Sequence, residues 1–259
     1  DVLATYGIGR SSFFSEDELR RHVAAMDDMM AKGESKAVAD YLMRTFGPAF
    51  KLTFGTFYRM LGSDNEYYLP YFGANGEISL RVYGETDAND AASSIVLKRE
   101  WKIPGEITKA GPMGMAMTAD GPVIMLTTDG TVLALSRDFS QVTHVKLPHS
   151  RRDNPGKNDF MGPDASFVRN GATTDDQGGV YVVTRDYVHR LQWTANRLSL
   201  DPADGAWQIP YPNENGAGSG TTPALMGWGP DEDHLVVIAD ASNKNRMMAF
   251  LRHSIPDEW

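Results

Sequence analysis

The sequence predicts a mainly β fold, in which three to four β-propeller blades follow an α-helical N-terminal segment. Three observations predict it. Apolar residues recur at helical spacing early in the chain. From about residue 75, short β-rich runs alternate with Gly, Asp and Asn turns. One strand–turn–strand unit then recurs at a near-constant interval, as blades do. The expected division is residues 1–70 helical and 75–259 a partial propeller.

The helical elements come first. Ser15-Glu16-Asp17-Glu18 is a capping-box pattern. Leu19, Val23, Met26 and Met30 follow at helical spacing, and Gly33 is the expected stop. A second helix is expected from near Ser35 to Phe46, broken by Gly47-Pro48. Phe50, Leu52, Phe54, Phe57, Tyr58, Met60 and Leu61 form a third apolar stretch, which periodicity leaves open between helix and buried strand. Met26, Met29, Met30, Met43 and Met60 read as core filling rather than a soft-metal surface.

The repeat carries the β prediction. Val123–Asp129, Val180–Asp186 and Leu235–Asp240 are similar apolar strands starting at 123, 180 and 235, intervals of 57 and 55. A small-residue strand and a turn precede each, and a turn and another strand follow. Such a unit is a meander that cannot bury both faces alone, so neighbours must stack. The interval exceeds the roughly 40–45 residues of WD40 repeats and the ~50 of kelch. A β-sandwich with coincidental spacing is the alternative. Residues 75–259 hold 185 positions, or three to four blades, whereas propellers close with roughly four to eight. The chain is therefore expected to be part of a larger propeller, completed by a second polypeptide, such as the other product of a cleaved precursor. A fragment boundary or a compact four-bladed ring would also fit.

The stretch Gly218–Gly227, then Leu235–Asp240 and Arg246–Phe250, resembles a blade of the bacterial quinoprotein-dehydrogenase-like propellers, and residues 114–137 and 170–193 fit the same pattern. The resemblance covers about residues 75–259 and implies an exported protein, periplasmic or secreted, with oxidoreductase chemistry among its options. Quinone enzymes of this type carry repeated tryptophan-docking motifs. Here Asp201-Pro202-Ala203-Asp204-Gly205-Ala206-Trp207 occurs once, so pyrroloquinoline quinone is not expected.

Composition narrows the classes. With 25 basic against 34 acidic residues the net charge is -9, a poor match to a phosphate backbone, so no nucleic-acid partner is expected. With no Cys there is no disulfide framework, thiol nucleophile or cysteine zinc site, which leaves the compartment open. No stretch reaches the ~20 apolar residues of a membrane span. The start, Asp1-Val2-Leu3-Ala4, lacks a basic-then-apolar leader and a Met, as if a signal peptide had been removed.

Candidate site residues lie at the expected channel mouth. A long polar loop from His149 leads to Arg169 and Asn170, which with Thr221 and Asp240 form the expected ligand-binding set. His149, Asn213, Glu214 and Asn215 are the expected metal ligands: carboxylate and amide oxygens suit Ca²⁺, and a copper or iron site from His149, His189 and His234 is the transition-metal option. Gly216–Gly220 reads as a flexible turn, with no P-loop lysine. No Gly-x-Ser-x-Gly elbow occurs, so no catalytic residue is assigned. Two functions survive: an exported propeller enzyme or small-molecule binder, metal-dependent oxidoreductase or hydrolase by chemistry, and a non-catalytic scaffold completing a propeller with a second chain.

Overall fold

The computed structural model describes residues 15–38, 40–42, 44–45, 58–72, 77–90, 92–118, 121–148, 168–214, 216, 218–230 and 232–255. Helix α1 (Glu16–Ala31) starts at its capping box: the Glu18 N–H donates to Ser15 Oγ at 3.3 Å, and the Ser15 N–H donates to Glu18 Oε2 at 2.8 Å. The pair satisfies donors that no helical turn can reach. Helical backbone resumes at 35–38 and 40–42, and His22 Nδ1 meets the Tyr41 hydroxyl at 2.8 Å. The helical methionines correct an expectation. Met30 is 59% exposed and α1 buries no residue, because spacing marks an apolar stripe but not what covers it. Met43 lies outside the described residues. Met60 does pack against the core, but from a strand.

Among the described residues, four antiparallel sheets follow one another in chain order. Sheet I holds β1 (Met60–Leu61), β2 (Tyr67–Phe72), β3 (Ile78–Glu85) and β4 (Ile95–Lys102). Sheet II holds β5 (Pro112–Met117), β6 (Val123–Thr127), β7 (Thr131–Leu135) and β8 (Val142–Lys146). Sheet III holds β9 (Thr173–Thr174), β10 (Gly179–Val183), β11 (Tyr187–Thr194), β12 (Arg197–Ser199) and β13 (Trp207–Pro210). There β12 and β13 pair with successive halves of one edge of β11. Sheet IV holds β14 (Ala224–Met226), β15 (Leu235–Ala239) and β16 (Met247–Leu251).

Sheet I opens at Met60, upstream of the change expected near residue 75. The sequence signal there is weakened by Pro70, which cannot donate to a ladder. Among the described residues β1 pairs only with Tyr67 and Tyr68, so Pro70 lies beyond the part of β2 that β1 pairs.

Three apolar clusters hold the sheets face to face. Leu80 and Val82 of sheet I meet Val123, Met125, Leu133 and Leu135 of sheet II. Ile124, Leu126, Val132 and Ala134, on the other side of sheet II, meet Val180, Val182 and Leu191 of sheet III. Tyr181, Val183 and Val188, on the far side of sheet III, meet Val236, Ile238 and Phe250 of sheet IV. Strand side chains alternate between faces, so each middle sheet serves two neighbours. This is why β6 is apolar from Val123 to Leu126 and β10 from Val180 to Val183, with all five residues of each strand buried.

The packing also corrects the repeat. Val123, Val180 and Val236 all face the preceding sheet, so the last unit matches from Val236 rather than Leu235. A one-residue slip exchanges the two faces of a strand. Both faces of β15 are apolar, so the pattern alone could not fix the register.

Candidate functional site

The entry to sheet III and the entry to sheet IV meet in a polar cluster. Asn170 is buried, its Nδ2 donates to Ser219 O at 2.9 Å, and the Tyr58 hydroxyl donates to its Oδ1 at 3.4 Å. Thr222 Oγ1 donates to the Tyr58 hydroxyl at 3.2 Å and accepts from the Gly171 N–H at 3.2 Å. Thr221 Oγ1 lies 2.9 Å from Ser219 Oγ and accepts from the Ala239 N–H at 3.0 Å. Two expected ligand residues, Asn170 and Thr221, are thus brought together through Ser219. Arg169 is half-buried next to Asn170.

The other expected residues have local tasks. Asn213 Nδ2 donates to Arg185 O at 2.8 Å and its Oδ1 accepts from the Gly218 N–H at 3.0 Å, which clamps the Gly-rich turn. Glu214 accepts from the Asn243 N–H at 3.1 Å. His149 and Asn215 lie outside the described residues. His189 is buried against Thr184 Oγ1 at 3.0 Å, and His234 Nδ1 meets His253 Nε2 at 3.0 Å. Among the described residues no three His, Asp or Glu side chains stand together as a metal cluster.

Asp240 closes the β15–β16 hairpin, accepting from the Arg246 N–H, Arg246 Nε and Ser242 Oγ, each at 2.8 Å. Burial pushes its carboxyl up, but those bonds outweigh it and hold it well below the usual carboxylate range. Asp129 does the same between β6 and β7. Burial opposes ionisation, while Lys146 at 2.7 Å and the Thr127 and Thr131 bonds bring it down to about 2. Asp175 accepts from the Gly179 N–H at 2.7 Å and the Tyr181 hydroxyl at 2.8 Å. Asp129 and Asp175 belong to no catalytic or metal motif in the sequence. The available signal was an Asp beside Gly, Thr or Ser at a hairpin, where its carboxylate bonds backbone two residues on.

His189 supplies a pH prediction. Burial lowers its pKa from 6.5 to about 4. The unfolded chain therefore takes up the proton first, and stability that is complete above pH 6.5 falls as the pH drops toward 4. The loss should reach about 2 kcal/mol by pH 5. Urea unfolding at pH 7.5 and pH 5 checks it, with His189→Gln expected to remove most of the difference.

The far side of sheet IV is apolar. By strand register, Ala224, Met226, Leu235, Val237, Ala239, Met247, Ala249 and Leu251 all point away from sheet III. Every one is apolar, yet Met226 is 53% and Met247 79% exposed. At the other end of the stack, the outer side of sheet I holds a cavity of about 560 Å³ lined by Leu61, Tyr67, Leu69, Tyr83 and Ile95, with Arg59 and Glu85 also on its wall. Among the described residues no helix is long and apolar enough to cross a membrane.

No family model matches the chain. Among solved structures it overlays on virginiamycin B lyase from Staphylococcus aureus with a TM-score of 0.43 and 14% identity, covering 77% of this chain and 55% of that one. BamB from Moraxella catarrhalis gives 0.46 and 13%, covering 81% and 49%. Apo AztD from Citrobacter koseri gives 0.41 and 12%, covering 77% and 47%. An uncharacterized protein of Archaeoglobus fulgidus is 30% identical over 185 residues. That match takes in 69% of this chain and 33% of the relative, so the chain spans a third of the length of the curated protein it resembles.

Proposed function

We propose that the chain is a segment of a larger β-propeller and that its work is assembly: its last sheet receives a further β-sheet from another stretch of polypeptide. The observation that carries this reading is the far face of sheet IV. Val237 and Ala239 occupy the positions held by Ile124 and Leu126 in sheet II and by Tyr181 and Val183 in sheet III. Those four are at most 2% exposed because the next sheet covers them. An apolar face of this kind gains about 25 cal/mol for each Å² that a partner removes from water. The cavity on the outer side of sheet I supports the same reading from the other end. The four sheets among the described residues stand at the lower limit of the roughly four to eight blades that close a ring.

The charge substitution Val237→Glu tests it. Size-exclusion chromatography with light scattering on the protein from its native cells should show further β-rich polypeptide bound to the wild type and released from Val237→Glu. The chain's own stability should change by under about 1 kcal/mol, as for a surface position. A lone 28.5 kDa wild-type species would contradict the reading.

A second reading, a small-molecule binder, keeps the polar cluster as its site. Its support is that Tyr58, Asn170 and Thr222 converge from three separate stretches of the chain. Their polar atoms are engaged with one another, which is why the assembly reading stands first.

A further inference from the structure

A second cavity, of about 300 Å³, opens between sheets II and III, away from both ends of the stack. Its walls come from the β7–β8 hairpin and strand β8 on one side and the β11–β12 hairpin on the other. The Trp193 ring is partly buried against the apolar core between those sheets. Around it stand Gln141, Thr143 and Asn196. The side-chain amides of Gln141 and Asn196 make no hydrogen bond within the described residues, and each offers donors and an acceptor.

Two features fix this groove. The two-residue β11–β12 turn places Ala195 and Asn196 at φ of 47° and 60°. Such a turn needs left-handed backbone at both positions, which Asn adopts readily and Ala at a cost of about 1 kcal/mol. Arg137, on the opposite wall, is held by Asp64 Oδ2 at 2.8 Å and Gly121 O at 3.3 Å. Its charge is therefore answered inside the chain, and among the described residues the groove wall carries no other charged side chain.

From the aromatic ring, the uncommitted amides and the balanced charge, we infer that this groove binds a neutral saccharide. A pyranose has an apolar face to lay on an indole and hydroxyls for amide and hydroxyl partners. The volume lies at the small end of the roughly 300–1,000 Å³ range of small-molecule sites, which suits a single ring. Among the described residues the groove offers an anionic sugar no unpaired cation, since Arg137 is already paired. The site is independent of the assembly surface on sheet IV.

Titration of the ¹⁵N-labelled chain with glucose, galactose and N-acetylglucosamine tests this. At least one sugar should give saturable shifts of the Trp193 indole N–H and of the Gln141 and Asn196 side-chain amides, with a Kd of about 1–10 mM, as few contacts allow. Trp193→Phe identifies the indole signal among the 5 tryptophans. Gln141→Ala and Asn196→Gly should each weaken binding by about fivefold, the loss of one hydrogen bond. Glycine keeps the left-handed turn, so the second variant preserves the fold. No saturable shift with any of the three sugars overturns the inference. So do shifts that persist undiminished in both variants, because the sugar then sits elsewhere.

Discussion

Replacing Asp175 with alanine should lower the melting temperature by about 10 °C, which calorimetry or a circular-dichroism melt will read. Asp175 sits in the β9–β10 turn, 2% exposed. Its Oδ1 accepts from the Gln177 and Gly179 N–H groups at 2.9 and 2.7 Å, and its Oδ2 accepts from the Tyr181 hydroxyl at 2.8 Å. Tyr181 in turn accepts from Arg190 Nε at 3.2 Å, and Arg190 is also buried. Burial first, and then the Asp175 charge, push the Tyr181 hydroxyl pKa far up, so it remains a donor at any working pH. Alanine removes all three bonds and, among the described residues, the carboxylate of this chain of contacts. Breaking a buried charge network from one side costs about 3–5 kcal/mol, and each kcal/mol moves the melting point of a chain this size by roughly 2–4 °C. Asp175→Asn keeps an acceptor for the two N–H groups and should lose about half as much.

Gly114→Ala should cost about 3 kcal/mol and show as a fall in the urea midpoint at unchanged slope. Gly114 lies on β5 where the backbone of residues 170–171 crosses it. A Cβ there would stand 2.6 Å from Gly171 Cα and 2.7 Å from Asn170 O, both backbone atoms. No side chain can rotate away, so sheets II and III must part at their first strands. Overpacking a tight site costs roughly 1–3 kcal/mol, and the upper end is expected because the obstacle is main chain. The same movement would disturb Asn170 and its bond to Ser219 O, so the polar cluster and the sheet stack should fail together.

Much of the architecture could be read from local pattern. The capping box placed the start of α1, because its two hydrogen bonds depend only on residues three apart. The recurring apolar strand located β6, β10 and β15. Where pattern failed, the reason was physical. Leu235-Val236-Val237-Ile238-Ala239 has no polar residue to say which face is buried, so the register slipped by one. Pro70 hid β2, because a proline without an N–H weakens the strand signal in the sequence. Met30 has helical spacing but no covering element among the described residues.

The site was less legible. Asn170 and Thr221 were found because both enter first strands of sheets, but the Tyr58 and Thr222 hydroxyls that join them come from distant sequence. Asn213 and Asp240 carried the residue types of a binding site, and the fold uses them to close turns. The groove beside Trp193 draws on two sheets and has no motif in either. The open face of sheet IV was written in plain apolar residues, but only the strand register shows that all eight share one side.

The chain's freedom from cysteine allows a direct measurement of that face. A single thiol introduced by Ala249→Cys stands midway along β16 on that face, beside Val237, and one introduced by Glu106→Cys lies on an exposed turn as a control. Both should react rapidly with a soluble disulfide reagent in the isolated chain. In the protein as assembled in its native cells, the thiol of the first variant should react at least about tenfold more slowly, a bias of 1.4 kcal/mol, while the control keeps its rate. Equal rates for the Ala249→Cys thiol in both states would show that nothing covers sheet IV, and the assembly account would be wrong.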